Sequence, residues 1–336
     1  MLLLSESFDT FANGTSAISD GDPNWGTSSS VSINNTAGRF SGGAAARAGS
    51  LAGFVNFTAA FVSQLGIAGW FRHGSGGSGW TSALLSTSSG QALLTVNPAG
   101  DLVVYDAGAV ARITATAQMP VNDTVTNATW IELDYLTGSI VLRVNGLQVG
   151  SYTGAYTAPG TALRLFGPIT GTPTGLLYCD DFLVWDSSGS YFNTFGLSPR
   201  RMFALRPTAA GAFTQWTPPS GTNWAAADSA DWSGGVGVST TTTAQEDTYT
   251  MGNLSTTPAT IDAVVIKTRL QNLGSSPANI NQVVRDPTAG VDALGPLTAA
   301  PAVVATVKGI FYRDPNGVAW TAASVNNAEV GQKSSI

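Results

Sequence analysis

Charge is what this sequence has least of. Asp, Glu, Lys and Arg make up 11% of the 336 residues, against about 25% in ordinary soluble domains. Its polar surface must therefore come from Ser, Thr, Asn, Gln and the backbone. Lys and Arg number 15 and Asp and Glu 21, for a net charge of −6 and a pI near 4.6. Apart from Arg200-Arg201 the cations are scattered, so no basic patch exists to neutralise phosphates, and nucleic acid is excluded as a partner. There is one cysteine, Cys179, and one histidine, His73. The first excludes an intrachain disulfide. The second confines any Ser-His-Asp or Cys-His arrangement to a single place. No apolar run approaches the roughly 18 residues of a helical membrane span. Met1–Leu4 is apolar but meets Ser5-Glu6-Ser7, short of the about 7–15 apolar residues of a secretory signal. The expectation is a chain made in a cytoplasm without a signal peptide. The sequons at Asn13, Asn34, Asn56, Asn122, Asn127 and Asn253 then read as chance in an Asn/Thr-rich sequence.

What is present is β pattern. Trp130–Tyr152, WIELDYLTGSIVLRVNGLQVGSY, predicts three antiparallel strands joined by two tight turns. Asn145-Gly146 suits a type I′ turn, in which both central residues need positive φ. Closing it pairs Val144 with Leu147 and Leu142 with Val149. A turn at Thr137-Gly138 pairs Tyr135 with Ile140, Leu133 with Leu142 and Ile131 with Val144. The apolar residues then share one face, and Glu132 meets Arg143 on the other as an opposite-charge cross-strand pair. Short strands with turn signals recur along the chain, and no segment holds a 3.6-residue period over three turns. The fold class expected is all-β, in two domains, residues 1–195 and 196–336. The first is a jelly-roll sandwich and the second a smaller β-sandwich opening on a strand at Met202–Arg206. The boundary follows the turn formers of SSGSYFNTFGLSP.

Residues able to do chemistry are few. His73 borders the loop HGSGGSG, which has no rigidity to orient a base. Cys179 lies on an apolar strand, where a free thiol behaves as a small hydrophobe. Glu132 and Asp134 share a strand face, as two glycosidase carboxyls would. Glu132 already has Arg143, however, so the pair reads as a solvated face, and a polysaccharide-degrading enzyme lacks its acid/base pair. Asp180-Asp181 is the one adjacent carboxylate pair on a predicted strand. Ca²⁺ favours several oxygen ligands, but strand neighbours point to opposite faces, so the two would share an ion only at a bulge. No cofactor is expected, and Ca²⁺ is the one ion for which the pair offers ligands. Trp80, after the glycine loop, reads first as a tryptophan folded over its own hydrophobic edge or buried by a neighbouring subunit; the functional alternative is stacking on a sugar at the sandwich rim with His73 beside it. Trp216, Trp224 and Trp232 crowd a long loop with Pro218-Pro219. Aromatics at that density predict a subunit interface.

In order, GRFSGGAAAR, GWFR, LLTVNPAGDLVVYDAG, WIELDYLTGSIVLRVNG and LYCDDFLVWD resemble the strands of laminin-G-like, concanavalin-A-like jelly-roll domains, over nearly all of residues 6–187. LRPTAAGAFTQWTPPSGTNWAAAD, AQEDTYTMGNL, AVVIKTRL and RDPNGVAWTAASVNNAEVGQK resemble a C-terminal β module of tailed-bacteriophage virion proteins. The resemblance implies a non-enzymatic structural protein on the tail or capsid exterior, made in the host cytoplasm and localised to the virion. Its partners would be its own copies and other virion proteins. The alternative it implies is adsorption, with the lectin-like domain recognising a host-surface glycan.

Overall fold

The computed structural model describes residues 1–8, 25–29, 31–34, 44–47, 54–59, 64–74, 81–120, 127–167, 169–170, 176–228, 237–274 and 277–335. These fall into two compact units, one ending at Met202 and the other beginning with Phe203. The first unit therefore runs past Phe195, because residues 194–202 are bonded to its sheet.

In chain order the first unit contains β1 (Leu2–Glu6), β2 (Trp25–Ser29), β3 (Val31–Asn34), β4 (Ala44–Arg47), β5 (Phe54–Thr58), β6 (Leu65–His73), β7 (Thr81–Thr87) and β8 (Ala92–Val96). It continues with β9 (Leu102–Tyr105), β10 (Ala111–Ala115), β11 (Thr129–Leu136), β12 (Ser139–Val144), β13 (Leu147–Thr153), β14 (Ala162–Phe166), β15 (Ile169–Thr170) and β16 (Leu177–Asp186). One antiparallel sheet runs β13-β12-β11-β6-β16-β4-β3, with β1 also on β16. The other runs β10-β9-β8-β7-β14-β5-β2, with β15 on β7. This is a jelly-roll β-sandwich. Sequence neighbours pair locally in β7 to β10 and in β11 to β13, while the inner strands of each sheet come from distant parts of the chain.

The apolar core lies between the sheets. Ile131, Leu133 and Tyr135 of β11 face Leu94, Val104 and Leu165 of the opposite sheet within one buried cluster. Phe57 and Phe182 close it edge to face, with ring centroids 5.3 Å apart, and the Tyr135 hydroxyl donates across it to the Tyr105 carbonyl at 3.0 Å. The hairpin register is as the sequence predicts from Ile131↔Val144 through Leu136↔Ser139, including Glu132↔Arg143. Asn145 (φ 52°) and Gly146 (φ 84°) make the positive-φ turn, which pairs Val144 with Leu147. One expected pair is corrected. Leu142 faces Gly150 rather than Val149, because a bulge between Leu142 and Arg143 shifts the register by one. The reason is steric: a Cβ on residue 150 would sit 2.3 Å from the Ile113 side chain, so only glycine fits there.

The second unit contains β17 (Pro207–Thr214), α1 (Asn223–Ala227), β18 (Glu246–Met251), β19 (Val264–Leu270), β20 (Asn279–Asp286), β21 (Val291–Leu294), β22 (Thr298–Ala299), β23 (Ala305–Phe311), α2 (Ala322–Asn327) and β24 (Glu329–Ser335). Its main sheet runs β17-β18-β24-β20-β21, with β22 also on β20, and β19 and β23 form a separate two-stranded ribbon. The expected strand at Met202–Arg206 is absent, since residues 201–206 carry no regular structure. Met202 is instead held by a side chain of the first unit, and the ladder begins at Pro207. The ribbon packs on the sheet through Gly309, where a Cβ would come 3.1 Å from that of Gln282. Among the described residues, an apolar cluster here comprises Ile266, Val284, Phe311, Trp320, Val325 and Ala328, with Leu205, Leu254, Ile261, Val264, Ala293 and Val330 packed against it. Helix α2 is started by a capping box between Thr321 and Ser324, a device that satisfies otherwise orphaned N–H groups.

Candidate functional site

Two strands of the first unit break the rule of alternation. Every residue of β6 and of β16 is buried, so both faces of the sheet centre are covered. The core covers one. Residues 194–202 cover the other as a strap attached through side chains rather than a backbone ladder. The Trp185 indole N–H donates to the Thr194 carbonyl at 2.9 Å, with the Phe192 and Phe195 rings against Trp185. The Trp70 indole N–H donates to the Arg200 carbonyl at 2.7 Å. The backbone N–H groups of Gly196 and Leu197 donate to one oxygen of Glu132, at 2.7 and 2.9 Å, and that of Met202 donates to Asp181 at 2.9 Å.

Beneath the strap lie Trp130, Glu132 and Asp134, alternate residues of β11 pointing away from the core. Glu132 and Asp134 are 0% exposed, which corrects the expectation of a solvated face. The strap, 60 residues downstream, is what removes the water. Arg143 serves both carboxyls. It makes a close hydrogen bond to Asp134 Oδ2 and stands 3.6 Å from Glu132 Oε1. Two buried carboxyls thus share one guanidinium. Glu132 Oε2, Asp134 Oδ1 and the Trp130 indole N–H find no hydrogen-bond partner among the described residues. Burial, reinforced by the neighbouring charge of Glu132, pushes the Asp134 carboxyl up to about 8. The protonated form of Asp134 is thereby favoured toward neutral pH.

The Asp180-Asp181 pair does sit at a bulge. The β16–β6 register breaks between Asp180 and Leu183, and Asp181 adopts φ 48°. Its side chain receives the Met202 N–H, and Asp180 receives the Asp181 N–H at 2.8 Å. The bulge returns Phe182 to the core and anchors the strap. Among the described residues no group of three or more His, Cys, Asp or Glu is placed to hold a metal ion.

His73 belongs to β6 rather than to the following loop and is 1% exposed. It therefore presents no surface to a sugar, because pairing with Leu177 of β16 draws it into the sheet. Trp80 and Trp232 lie outside the described residues. Cys179 is fully buried, and burial together with the charges of Asp180 and Asp181 pushes its thiol well up, so the nucleophilic thiolate is disfavoured.

In the second unit the tryptophan loop folds back on its own sheet. The Trp216 indole N–H donates to the Gln245 carbonyl at 3.2 Å. Asn223 of α1 donates to both carboxylate oxygens of Asp247, at 2.8 and 3.0 Å. Tyr249 donates to the same carboxylate at 2.6 Å and receives Gln332. Trp216 and Trp224 are half-buried in consequence. The apolar surface of this unit lies elsewhere. Val291, Leu294 (51% exposed) and Leu297 (57%) follow the β21–β22 edge, and Val303 (71%) and Val304 come just after it. Pattern reading missed these residues because single exposed Leu or Val residues carry no periodic signal. The available cue was the nearly uncharged run from Pro287 to Val304, with Asp292 as its only ionisable residue.

No family model matches the chain, and no curated protein matches it. Among solved structures, the botulinum neurotoxin type G receptor-binding domain is 14% identical over 48% of this chain and 42% of that one, with a TM-score of 0.35. The cellulose induced protein Cip1 is 12% identical over 54% of this chain and 96% of its own, at 0.39. A Bacillus subtilis protein with a galectin-like fold is 11% identical over 55% and 94%, at 0.38. The chain thus spans under half the length of the neurotoxin domain. At such TM-scores these likenesses carry no argument, and the fold rests on the sheets described above.

Proposed function

We propose that the protein is a non-enzymatic structural component that assembles in several copies, with the second unit supplying the subunit contacts. The observation that carries this reading is the line of exposed apolar side chains on the β21–β22 edge. An open sheet edge offers unpaired backbone groups to another chain, and exposed apolar side chains beside it mark interaction surface. Low charge supports the same reading, since contacts of this kind weaken little with salt. The resemblance of the second unit to phage modules supports a tailed-phage virion, tail or capsid exterior, as the setting, with other virion proteins as further partners. The absence of enzymatic activity is supported by the burial of His73 and Cys179 and by the strap over Glu132 and Asp134.

Light scattering of the full chain at about 50 μM is expected to show a multimer, and the double variant Leu294→Asp/Leu297→Asp a monomer with an unchanged circular dichroism spectrum. A monomeric wild type at that concentration would sink the proposal. Glycan recognition by the first unit is the second reading. It is supported by the jelly-roll architecture alone, which is an associational argument. Retention of the full chain on a glycan array is its test.

A further inference from the structure

We propose that residues 194–202 form a proton-dependent strap that sets the length of free chain between the two units, docked while the Glu132–Asp134–Arg143 cluster holds one shared proton and loosened when that proton leaves. The proposal is independent of the assembly reading.

Three features of the first unit converge on it. First, the strap is held at separate points, by Trp185, Glu132, Trp70 and Asp181, with no ladder to resist opening. Second, its middle anchor is a carboxylate beside a second buried carboxyl, with only one guanidinium between them. No protein donor reaches Glu132 Oε2 or Asp134 Oδ1, so the two neighbouring carboxyls are reconciled by a proton on Asp134 hydrogen-bonded to Glu132, and its loss would leave two acceptors facing each other in a dry site. Third, the strap leads directly into Phe203, the first residue of the second unit after it. Docked, the chain is pinned up to Met202. Undocked, the last anchor is at Asp186 and Ser188, which hold the N-terminal amine. That frees about 14 residues, or up to ~46 Å of extended chain.

The groups acting on Asp134 are Glu132 on its own strand and Arg143 on β12. Across from them β6 presents Ala68 and Gly66, β16 presents Leu183 and Trp185, and the strap presents Gly196 and Leu197, all uncharged. The sign follows by linkage. The docked carboxyl holds its proton up to about pH 8, whereas a hydrated one releases it in the ordinary carboxylate range, about 4. Docking is therefore strongest at acid pH, weakens as pH rises between these values by up to about tenfold per unit, and levels off above about 8.

Amide hydrogen exchange on the full chain, corrected for the intrinsic pH effect, reads this directly. Relative to Ile131 and Leu133 of β11, the Gly196, Leu197 and Met202 amides are expected to lose at least tenfold in protection between pH 6 and pH 8. In Asp134→Asn, which keeps the shape and removes the titration, protection should stay flat. If that variant does not fold, Glu132→Gln is read instead, with a slope shallower than the wild type's expected, because the like charge is gone while burial still raises Asp134. Equal wild-type protection at the two pH values overturns the proposal, as does a variant that follows the wild-type slope. Loss at Gly196 and Leu197 with Met202 still protected overturns the change in chain length.

Discussion

A Gly331→Ala variant is expected to lose the folded second unit while the first stays intact. Gly331 sits in β24, the middle strand of the main sheet, between Thr248 of β18 and Val283 of β20. A Cβ added there would stand 1.8 Å from the Asp247 carbonyl oxygen and 2.8 Å from the Thr248 Cα. Both contacts are backbone of the neighbouring strand, so no side chain can rotate away. Relief requires β24 to move off β18 by more than 1 Å by the spacing of ordinary contacts, which breaks the ladder on that side. The same movement pulls Gln332 from Tyr249, and with it the network through Asp247 that holds the tryptophan loop. The loss belongs with the exceptional single-site effects of more than about 4 kcal/mol, a large fraction of what holds a domain folded. Exchange of the β20 and β24 amides measures it, with β11 as the internal reference. Gly237→Ala, where nothing lies within 4 Å of the added atom, serves as the neutral control. Undiminished protection of β24 in the Gly331 variant would refute the expectation.

Glu132→Ala is expected to cost about 3 kcal/mol of the first unit's stability at pH 6, at the low end for breaking a buried ion pair. The variant takes the acceptor from two strap amides and the ionised partner from Arg143. The cost stays at the low end because Asp134 can take over in part: without Glu132's charge Arg143 draws its carboxyl toward the ionised form, against the burial that still raises it. The deficit should therefore shrink as pH rises to 8, where the wild type loses the benefit of its shared proton. Glu132→Gln keeps an acceptor for the Gly196 and Leu197 amides and should cost less, about 1–2 kcal/mol, close to the worth of a charge-assisted bond. Urea unfolding at pH 6 and pH 8 separates the cases. A deficit that grows with pH, or a Gln variant as damaged as the Ala variant, would contradict this account of the cluster.

The cluster also shows where sequence reading stops. The register that sets Glu132 opposite Arg143 is legible, because turn chemistry at Asn145-Gly146 and period-2 alternation agree. The environment of that pair is not. Its exposure is decided by Gly196 and Leu197, more than 60 residues away, through bonds that leave no periodic mark. A signal did exist in the apolar stretches Leu65–Phe71 of β6 and Phe182–Trp185 of β16, because a strand apolar on both faces needs a cover on both. The aromatic-rich segment SYFNTFGLSP, read as a domain boundary, is that cover. Asp180-Asp181 is similar: adjacent carboxylates on a strand demand a bulge to act together, but only the structure shows the bulge and shows it holding Met202.

In the second unit, α2 and β24 close the chain. The tryptophan-rich loop was read as an interface because large aromatics rarely stay solvated. Among the described residues, Trp216 and Trp224 are half-buried, and the Trp216 backbone N–H is held by Asp247, a buried carboxylate whose Asn223 donor lies on a short helix that propensity does not mark.

What the sequence determined by itself is local and periodic: the all-β class, the turns, the hairpin register, and, with a single cysteine, the exclusion of an intrachain disulfide. These follow from steric and hydrophobic rules acting over a few residues. What only the tertiary structure decided is which faces are covered twice, which carboxyls are dry, and which apolar edge stays open. Burial and electrostatics depend on segments far apart in the chain, and a dry carboxylate reads in sequence like a wet one.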